Sequence, residues 1–283
     1  ADAWGLQARF PAPDAARIAA GFAAPLTDLG LLSVTGAEAR AFLHTQLTND
    51  VEHLAQGEAR WYGYCTAKGR LLSTFLGWPE DDGLALTVAR PMAEALRKRL
   101  TMFVLRTKAR VAGVAEPRRR PGRGGDAAAA ARAPRGRGRM PAPMACEQAA
   151  DLSLIGLPEV RLADHALPRW LLRVPAARAA EVWQALSAAL APASSELWRW
   201  TEVCAGVPRI VAATSEQFVP QMLNLDVSGG VSFTKGCYPG QEVVARTHYL
   251  GKQRRRMFLG RLNGSPPEPG SDVLGPAGEP VGR

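Results

Sequence analysis

The stretch at 235–242 has the sequence Lys-Gly-Cys-Tyr-Pro-Gly-Gln-Glu, and Arg246 follows it after a short apolar Val-Val-Ala. Glycine accepts positive φ angles and lets other backbone approach closely, so the two glycines around Cys237 predict a tight, exposed turn. A neighbouring cation and a helix N-terminus both favour the thiolate form of cysteine. Lys235 supplies the cation, and the residues from Gln241 onward predict the first turn of a helix. Cys237 is therefore a candidate reactive thiol, with an inert small residue in a turn as the alternative.

This octapeptide resembles the signature of the YgfZ proteins, which are folate-binding relatives of the glycine-cleavage aminomethyltransferases. Shorter matches elsewhere in the chain extend the resemblance over about 26–112 and 150–262, and it stops over about 115–147. The octapeptide is the specific part, because the other matches are weak when taken singly. Those matches are Gln217-Phe218-Val219-Pro220-Gln221, Asn224-Leu225, Gly229-Gly230-Val231-Ser232-Phe233, Thr35-Gly36 with Asp50, Ala67-Lys68-Gly69-Arg70 and Ala205-Gly206-Val207-Pro208.

The resemblance implies a multidomain α+β fold, in which antiparallel sheets and helices surround a central folate cavity. An N-terminal α+β domain of the folate-binding type is expected at 1–112, and a second α+β domain with the cysteine motif at 148–250. Residues 251–283 are expected to begin a small C-terminal β-barrel-like module. The stretch 113–147 between the two α+β domains is anomalous, because arginine, glycine, alanine and proline dominate it.

Local patterns predict where individual elements begin. Thr35 and Glu38 form a capping-box pattern, which predicts a helix running to about Leu47. Proline suits the first position of a helix, and hydrophobic runs bounded by turn residues predict strands. The further predicted elements are strands at 62–66, 71–78, 84–88, 103–111, 170–174 and 257–262 and helices opening at Pro91, Pro175 and Ser195.

The resemblance also implies a function. YgfZ-like proteins are folate-dependent accessory proteins that support the assembly or repair of iron–sulfur clusters and, through cluster enzymes, tRNA modification. The expected ligand is tetrahydrofolate or a one-carbon derivative, and the expected protein partners are iron–sulfur enzymes or assembly proteins that bind transiently. Classical catalysis is not expected. Because a cluster normally takes four protein ligands, one cysteine should not hold a stable cluster or metal on the monomer.

The candidate site residues fall into two groups. Cys237 is the functional thiol, with Lys235 and Glu242 as its charged neighbours. Trp198 aligns with a folate-associated tryptophan of the family and could stack on a pterin, whereas a second such tryptophan is replaced here by Leu29. Core packing is the alternative for Trp198, and an i, i+4 helix pair with Glu242 is the alternative for Arg246. The residues expected to bind folate are Trp198, Asn224, Asp226, Tyr238, Gly240, Gln241 and Arg246.

A folate-dependent aminomethyltransferase is the alternative function within the same fold. Its chemistry needs an acid or a base at the reactive atoms of the folate. Asp50 and Asp226 are the aspartates available near the matching motifs, but nothing in the sequence assigns either of them that role.

The net charge of +9 suggests nucleic-acid binding, but the charge is concentrated in one segment. Eight arginines and only two acidic residues lie between 116 and 145, and the segment has neither lysine nor aromatic residues. An RNA-binding protein acting through this arm is therefore a further alternative, although the arm lacks aromatic residues for base stacking. A disordered basic linker, a true insertion and a local frameshift in the gene each account for the composition.

The remaining composition favours a cytoplasmic protein with no membrane partner. The four cysteines and four histidines are scattered without metal-ligand spacing, so reduced thiols are expected and a zinc site is not. No apolar run reaches the ~18–20 residues that a membrane span needs. The first thirteen residues lack the pattern of a signal peptide.

Overall fold

The computed structural model describes residues 21–113, 126–131, 140–149, 151–162, 165–251, 253–265 and 267–283. In these ranges the helices are α1 (Ala39–His44), α2 (Ala93–Val104), α3 (Ala176–Ala189), α4 (Ser195–Cys204) and α5 (Gln241–Tyr249). The strands are β1 (Phe22–Pro25), β2 (Leu29–Thr35), β3 (Arg60–Cys65), β4 (Leu71–Glu80), β5 (Gly83–Ala89), β6 (Arg110–Gly113), β7 (Asp126–Ala131), β8 (Cys146–Ala149), β9 (Leu152–Leu162), β10 (His165–Pro175), β11 (Ala191–Pro192), β12 (Val273–Leu274) and β13 (Pro280–Gly282). None of the helices described is both long and apolar enough to cross a bilayer.

Two sheets form the centre of the molecule. The five-stranded sheet has the order β3-β4-β5-β2-β6, and its neighbouring strands are antiparallel. The six-stranded sheet has the order β11-β1-β7-β10-β9-β8, in which β1 and β11 run parallel and the other pairs antiparallel. Antiparallel sheets with helices packed on them confirm the α+β class.

An apolar layer fills the space between the two sheets. Successive side chains on a strand point to opposite faces, so alternate residues of each strand reach this layer. Leu31 of β2 and Trp78 of β4 belong to it from one sheet, and Ile155 of β9 and Leu171 of β10 from the other. Trp198 of α4 is buried in the same layer.

Helices cover the outer faces of both sheets. On the five-stranded sheet, Phe42 of α1 and Leu96 of α2 pack with Leu32 of β2. On the six-stranded sheet, Trp183 of α3 packs with Val174 of β10. The result is four layers in the order helices, five-stranded sheet, six-stranded sheet and helix.

The stretch from 210 to 244 packs on the same outer face as α1 and α2. Ile210, Leu225, Val231 and Val244 are buried in one cluster with the apolar residues of that face. This packing carries the cysteine-containing octapeptide and α5 onto the five-stranded sheet, beside the end of α1.

The turn-based predictions for the first sheet and α3 are confirmed. The strands joined by the 67–70 and 81–83 turns are β3, β4 and β5, and α3 begins directly after Pro175. The cap predicted at Ser195 lies one residue earlier, because the Ser194 hydroxyl accepts a hydrogen bond from the backbone N–H of Leu197 at 3.4 Å.

Three local predictions are wrong. Thr35 is not a helix cap but the last residue of β2, paired with Arg110, and α1 begins only after Glu38. The stretch predicted as a strand at 103–111 is helical as far as Val104, and only Arg110–Gly113 forms β6. Residues 257–262 form no strand: they pair with no strand of the described ranges, and their side chains are largely exposed.

Part of the anomalous stretch 113–147 lies inside the six-stranded sheet. The backbone of β7 pairs with β1 on one side and with β10 on the other, so it occupies an interior position. Its six residues form a strand of this sheet. Residues 114–125 and 132–139 lie outside the described residues, so the choice between linker, insertion and frameshift stays open.

A buried ion pair joins the two sheets. Arg173 of β10 is 2% exposed, and its Nη2 lies 2.8 Å from Oε1 of Glu80 at the end of β4, whose side chain is 6% exposed. Nη1 of Arg173 also donates a hydrogen bond to the carbonyl oxygen of Asp151 at 2.7 Å.

We expect Arg173→Met to lower the free energy of unfolding by about 3–5 kcal/mol, because Glu80 would stay buried after losing this cation. The double variant Arg173→Met/Glu80→Leu should recover much of that loss, since replacing both partners by apolar groups removes the buried carboxylate as well. Urea unfolding followed by circular dichroism measures both effects. Equal losses in the single and double variants would contradict the pairing.

Candidate functional site

The cysteine loop, residues 235–240, is docked on the turn between β3 and β4. Gly240 has a φ of 80°, and a Cβ on it would lie 2.4 Å from the carbonyl oxygen of Thr66 and 2.6 Å from Cα of Gly69. Gly69 has a φ of 70°, and a Cβ there would lie 2.9 Å from Cβ of Val243 in α5. Both positions exclude larger residues. The tight turn predicted before the helix is confirmed at Gly240.

Lys235, at the N-terminal end of the loop, binds the C-terminal end of α1. Its Nζ donates hydrogen bonds to the carbonyl oxygens of His44 and Leu47, the latter at 2.7 Å, and lies 4.8 Å from the centre of the Tyr238 ring. A cation at the C-terminal end of a helix pairs with carbonyls that lack a partner within the helix. Burial lowers the pKa of Lys235 to about 8, and burial also raises the pKa of the Tyr238 phenol.

Cys237 is exposed, whereas the other three cysteines are less accessible. Burial raises the pKa of the Cys65 thiol to about 12 and that of the Cys146 thiol to about 11. Cys204 is half-buried, and burial raises its pKa as well. A reactive cysteine must be accessible as well as ionisable, so Cys237 is the thiol best placed to react.

A histidine–aspartate cluster lies beside the loop, and sequence reasoning did not identify it. Nδ1 of His44 lies 3.2 Å from Oδ1 of Asp50, and Nδ1 of His53 lies 2.8 Å from Oδ2. The His44 side chain is 12% exposed and that of His53 is 79% exposed. Burial acts to raise the pKa of Asp50, but hydrogen bonds from His53 and the charges of both histidines outweigh it, and the pKa lies below its usual value. Of these three residues, Asp50 was the one that the sequence motifs pointed to.

The predicted residues of α5 lie on its open side. Glu242 and Arg246 are exposed and form no ion pair with each other, while Gln241 is half-buried. Val244 is the buried residue of the helix, and its carbonyl accepts a hydrogen bond from Nε2 of Gln221 at 2.7 Å. The helix is thus held by its apolar side, which leaves Glu242 and Arg246 accessible.

Asn224 and Asp226 hold the segment that follows α5. Asn224 has a left-handed backbone with a φ of 56°, and its Nδ2 donates to the carbonyl oxygen of Met257 at 2.8 Å. Asp226 accepts two hydrogen bonds from Arg256, at 2.6 and 3.0 Å. In this structure both side chains are engaged by the chain itself.

Trp198 is 2% exposed and takes part in a buried network of charged groups. Its Nε1 donates to Oε1 of Glu202 at 3.1 Å, and the guanidinium of Arg169 lies 5.3 Å from the centre of the indole. Arg209 joins Glu202 to Asp28 through two ion pairs. Burial raises the pKa of Glu202 and lowers that of Arg169 to about 10. Sequence reasoning missed this network, although the i, i+4 spacing of Trp198 and Glu202 on a helix was a signal for their contact.

A cavity of about 40 Å³ adjoins this network, and two larger cavities share its walls. Trp198, Leu29, Glu202 and Arg209 all line the small cavity. A cavity of about 340 Å³ shares Glu202 and Arg209 with it, and its wall also includes Arg199, Cys204, Asn224 and Phe258. A third cavity, of about 540 Å³, shares Trp61 with the small one, and its wall also includes Asn49, Arg60, Met144 and Gly229.

The cysteine loop and these cavities are separate parts of the molecule. Val231 and Val244, on either side of the loop in the chain, are buried on the outer face of the five-stranded sheet, while Trp198 lies in the layer between the sheets. The residues that line none of the three cavities include Cys237, Tyr238, Gly240, Gln241 and Arg246. In the described ranges no group of three or more His, Cys, Asp or Glu side chains is arranged to hold a metal ion.

No protein-family model matches this chain. Its fold is similar to that of the glycine cleavage system aminomethyltransferase T from Bartonella henselae, known from a crystal structure. The TM-score is 0.66 at 13% sequence identity, and the match covers 81% of this chain and 63% of the other. The chain therefore has an aminomethyltransferase-T-like fold and spans a little under two thirds of the length of that protein.

The lowered pKa of Lys235 predicts a pH-dependent contribution to stability. Between pH 8 and about pH 10.4 the unfolded chain keeps the lysine proton that the folded chain has lost, so stability rises with pH in that window. We expect wild type to gain stability relative to Lys235→Met as the pH rises from 8 to 10. Urea unfolding of both proteins at pH 7.5, 9 and 10 measures the difference, and Lys98→Met serves as an exposed control. A constant difference would contradict the burial of an ammonium at this site.

Proposed function

We propose that this protein binds tetrahydrofolate or a one-carbon derivative and supports assembly or repair of iron–sulfur clusters, and through cluster enzymes tRNA modification, by means of Cys237. One observation carries the folate part of the proposal. Leu29 and Trp198, the two positions at which the resemblance places folate-associated tryptophans, line the same cavity. They are 169 positions apart in the chain, and both belong to the apolar layer between the two sheets.

The chemistry of this cavity suits a pterin. The indole of Trp198 offers a flat apolar face. Glu202 and Arg209 pair with each other in this structure, and they would have to exchange that ion pair for contacts with the polar edge of the ring. A water molecule takes about 30 Å³ in the liquid, so a cavity of about 40 Å³ is too small for the ring itself. Entry therefore requires the wall formed by Glu202 and Arg209 to open toward the 340 Å³ cavity. Arg199 in that cavity is the cation we assign to the glutamate tail.

Asn224 and Asp226 have a different role in this proposal. They bind Met257 and Arg256 of the chain itself, so they position the wall of the 340 Å³ cavity rather than the edge of the pterin. Arg246 and Glu242 stay accessible on α5, next to the thiol, where they would meet a protein partner.

The cluster part of the proposal depends on the accessibility of Cys237. A thiolate there could accept or relay sulfur, bind a cluster transiently or exchange with the thiols of a partner. A transient role agrees with a single exposed cysteine, because a resident cluster needs several protein ligands. Lys235 anchors the loop to the carbonyl oxygen of Leu47 and lies over the Tyr238 ring, while Cys237 between them in the chain is exposed.

The fold likeness favours one alternative, a folate-dependent aminomethyltransferase. Of the residues that line the small cavity, Glu202 is the one carboxylate, and Trp198 and Arg209 already occupy it. Asp50 and Asp226 do not line that cavity. An assay with the lipoyl carrier of glycine cleavage distinguishes the two functions, since only the transferase would release ammonia from it.

Replacing Trp198 should weaken folate binding. We expect Trp198→Phe to raise the dissociation constant for tetrahydrofolate by about tenfold, because a smaller ring loses stacking area and the indole N–H. Trp200 is on the same helix but 40% exposed, so Trp200→Phe is the matched control and should change the constant less than about twofold. Anaerobic isothermal titration calorimetry measures both. Unchanged affinity in Trp198→Phe would return this tryptophan to a purely structural role.

Replacing Cys237 should separate the two parts of the proposal. We expect Cys237→Ser to abolish the support of cluster enzymes in cells while leaving tetrahydrofolate affinity and stability within experimental error, because the thiol is exposed. Cys204→Ser tests whether any accessible thiol suffices, and it should retain activity. The measurement is the activity of iron–sulfur enzymes in a deletion strain that carries each variant. Full rescue by Cys237→Ser would refute the assigned role.

A further inference from the structure

We infer that the end of α2 and the turn that follows it dock onto an anionic lipid surface. This region, called the α2 end surface, combines exposed apolar side chains with cations: Met102, Phe103, Leu105, Arg99, Arg106 and Lys108. The inference goes beyond the proposed function and depends neither on folate binding nor on Cys237. The expectation of no membrane partner concerned spanning segments, and a protein that lies on a bilayer needs none.

Three large apolar side chains of the α2 end surface lie in solvent. Earlier in the helix, Leu96 and Leu100 are buried in the cluster on the outer face of the five-stranded sheet. Met102 and Phe103 in the last turn are 69% and 45% exposed, and Leu105 directly after the helix is 87% exposed. Single exposed apolar residues are common, but several at adjacent positions indicate an interaction surface.

The backbone at Leu105 has a conformation that normally belongs to glycine. The N–H of Thr107 donates to the carbonyl oxygen of Val104 at 2.7 Å, so residues 104–107 form a β-turn. Leu105 is the second residue of this turn, with a φ of 37° and a ψ of −100°. A type II′ turn has about +60° and −120° at that position, where glycine dominates because a large side chain is strained. Strain of this kind concentrates at functional sites, and here it accompanies an apolar side chain in water.

The charge of the α2 end surface has one sign. Between Glu94 and Glu116 the chain has six cations and no acidic residue. Arg99, Arg106 and Lys108 are exposed and form no ion pair with any residue of the described ranges. The surface therefore keeps three cations available to an anionic ligand.

Two carboxylates reach the neighbourhood from other positions, but they leave these cations free. Glu94, at the start of α2, pairs with Arg97 and Lys98. Glu38 accepts a hydrogen bond from the backbone N–H of Lys108 at 2.6 Å.

An anionic bilayer matches both properties of the surface. Its headgroups attract Lys and Arg, while exposed apolar side chains enter the boundary with the acyl chains. Single-stranded RNA would account for the cations but not for the apolar side chains, since Phe103 is the one aromatic residue among them and bases stack on aromatic rings. A two-fold contact with a second copy would bring the same cations together, because identical surfaces meet in such a contact.

The test is the partition of the full chain onto lipid vesicles, measured by sedimentation. Vesicles of phosphatidylcholine and phosphatidylglycerol in equal parts provide the anionic surface, and vesicles of pure phosphatidylcholine are the comparison. We expect binding to the anionic vesicles and much weaker binding to the neutral ones. Hydrogen exchange of the backbone amides at 97–110 should slow in the bound protein.

Two double variants separate the apolar and the charged contributions. We expect Phe103→Ser/Leu105→Ser to lower the partition coefficient on anionic vesicles by roughly tenfold, because the apolar groups that enter the bilayer are removed. Arg106→Gln/Lys108→Gln should lower it by roughly twentyfold, since each cation near such a surface contributes about fivefold.

Two further variants control for structure and for general exposure. Leu250 follows the last residue of α5 and is 82% exposed, so Leu250→Ser is the matched control and should change partition less than about twofold. Leu105→Gly removes the side chain and the strain together, so it should lower partition while the thermal unfolding temperature stays the same or rises. A merely structural role of Leu105 would instead lower that temperature. Thermal unfolding of every variant identifies any that fails to fold.

Three outcomes would overturn the inference. Unchanged partition in folded Phe103→Ser/Leu105→Ser would mean that charge alone attaches the protein, through the arginines at 116–145. An equal loss in Leu250→Ser would remove the assignment to the α2 end surface. Absence of vesicle binding, together with self-association or RNA binding that Phe103→Ser/Leu105→Ser abolishes, would assign the surface to a different partner.

Discussion

The apolar layer between the two sheets is the constraint on which the other parts of the structure depend. Each strand sends alternate side chains into it, so filling the layer also fixes which residues face outward. The outward residues of the five-stranded sheet must then be buried in turn, which requires α1, α2 and the stretch from 210 to 244. Trp198 belongs to the layer itself, whereas Val244 of α5 belongs to the outer face. Packing between the sheets therefore positions the candidate ligand cavity, whereas packing on the outer face of the five-stranded sheet positions the cysteine loop.

This separation bears on how folate and the thiol would act together. Trp198 and the segment with Cys237 lie on opposite faces of the five-stranded sheet. A pterin beside Trp198 would therefore not contact Cys237 directly.

A chain of contacts joins the two regions instead. Trp61 lines both the small cavity and the 540 Å³ cavity, and its carbonyl accepts a hydrogen bond from Asn49. Asn49 also donates to Gly229 at 2.7 Å and directly precedes Asp50, the partner of His44. A ligand that moved Trp61 would therefore act on the neighbourhood of the thiol through the backbone at 49–50.

Sequence reasoning succeeded where short-range stereochemistry decides the structure and failed where distant residues decide it. The turn at Gly240 and the helix after Pro175 follow from the conformational preferences of glycine and proline. Thr35 has the sequence pattern of a helix cap, but pairing with β6 keeps it in a strand. The contact of His44 with Asp50 spans the end of a helix, and Arg209 lies 181 positions from Asp28. No local pattern encodes such pairs, so they emerge only once the layers are assembled.

The way the loop is anchored explains why a change at Cys237 can be read as chemistry rather than as structure. One anchor is the backbone contact of Gly240 with Gly69, and the other is the ammonium of Lys235 on the carbonyls at the end of α1. Tyr238 fills the space beneath the loop and is buried. The thiol of Cys237 takes no part in any of these contacts, and Cys237 is exposed. A side chain held in place by its neighbours, and itself carrying none of the structure, is the arrangement that a transfer of sulfur or a transient thiol contact with a partner would need.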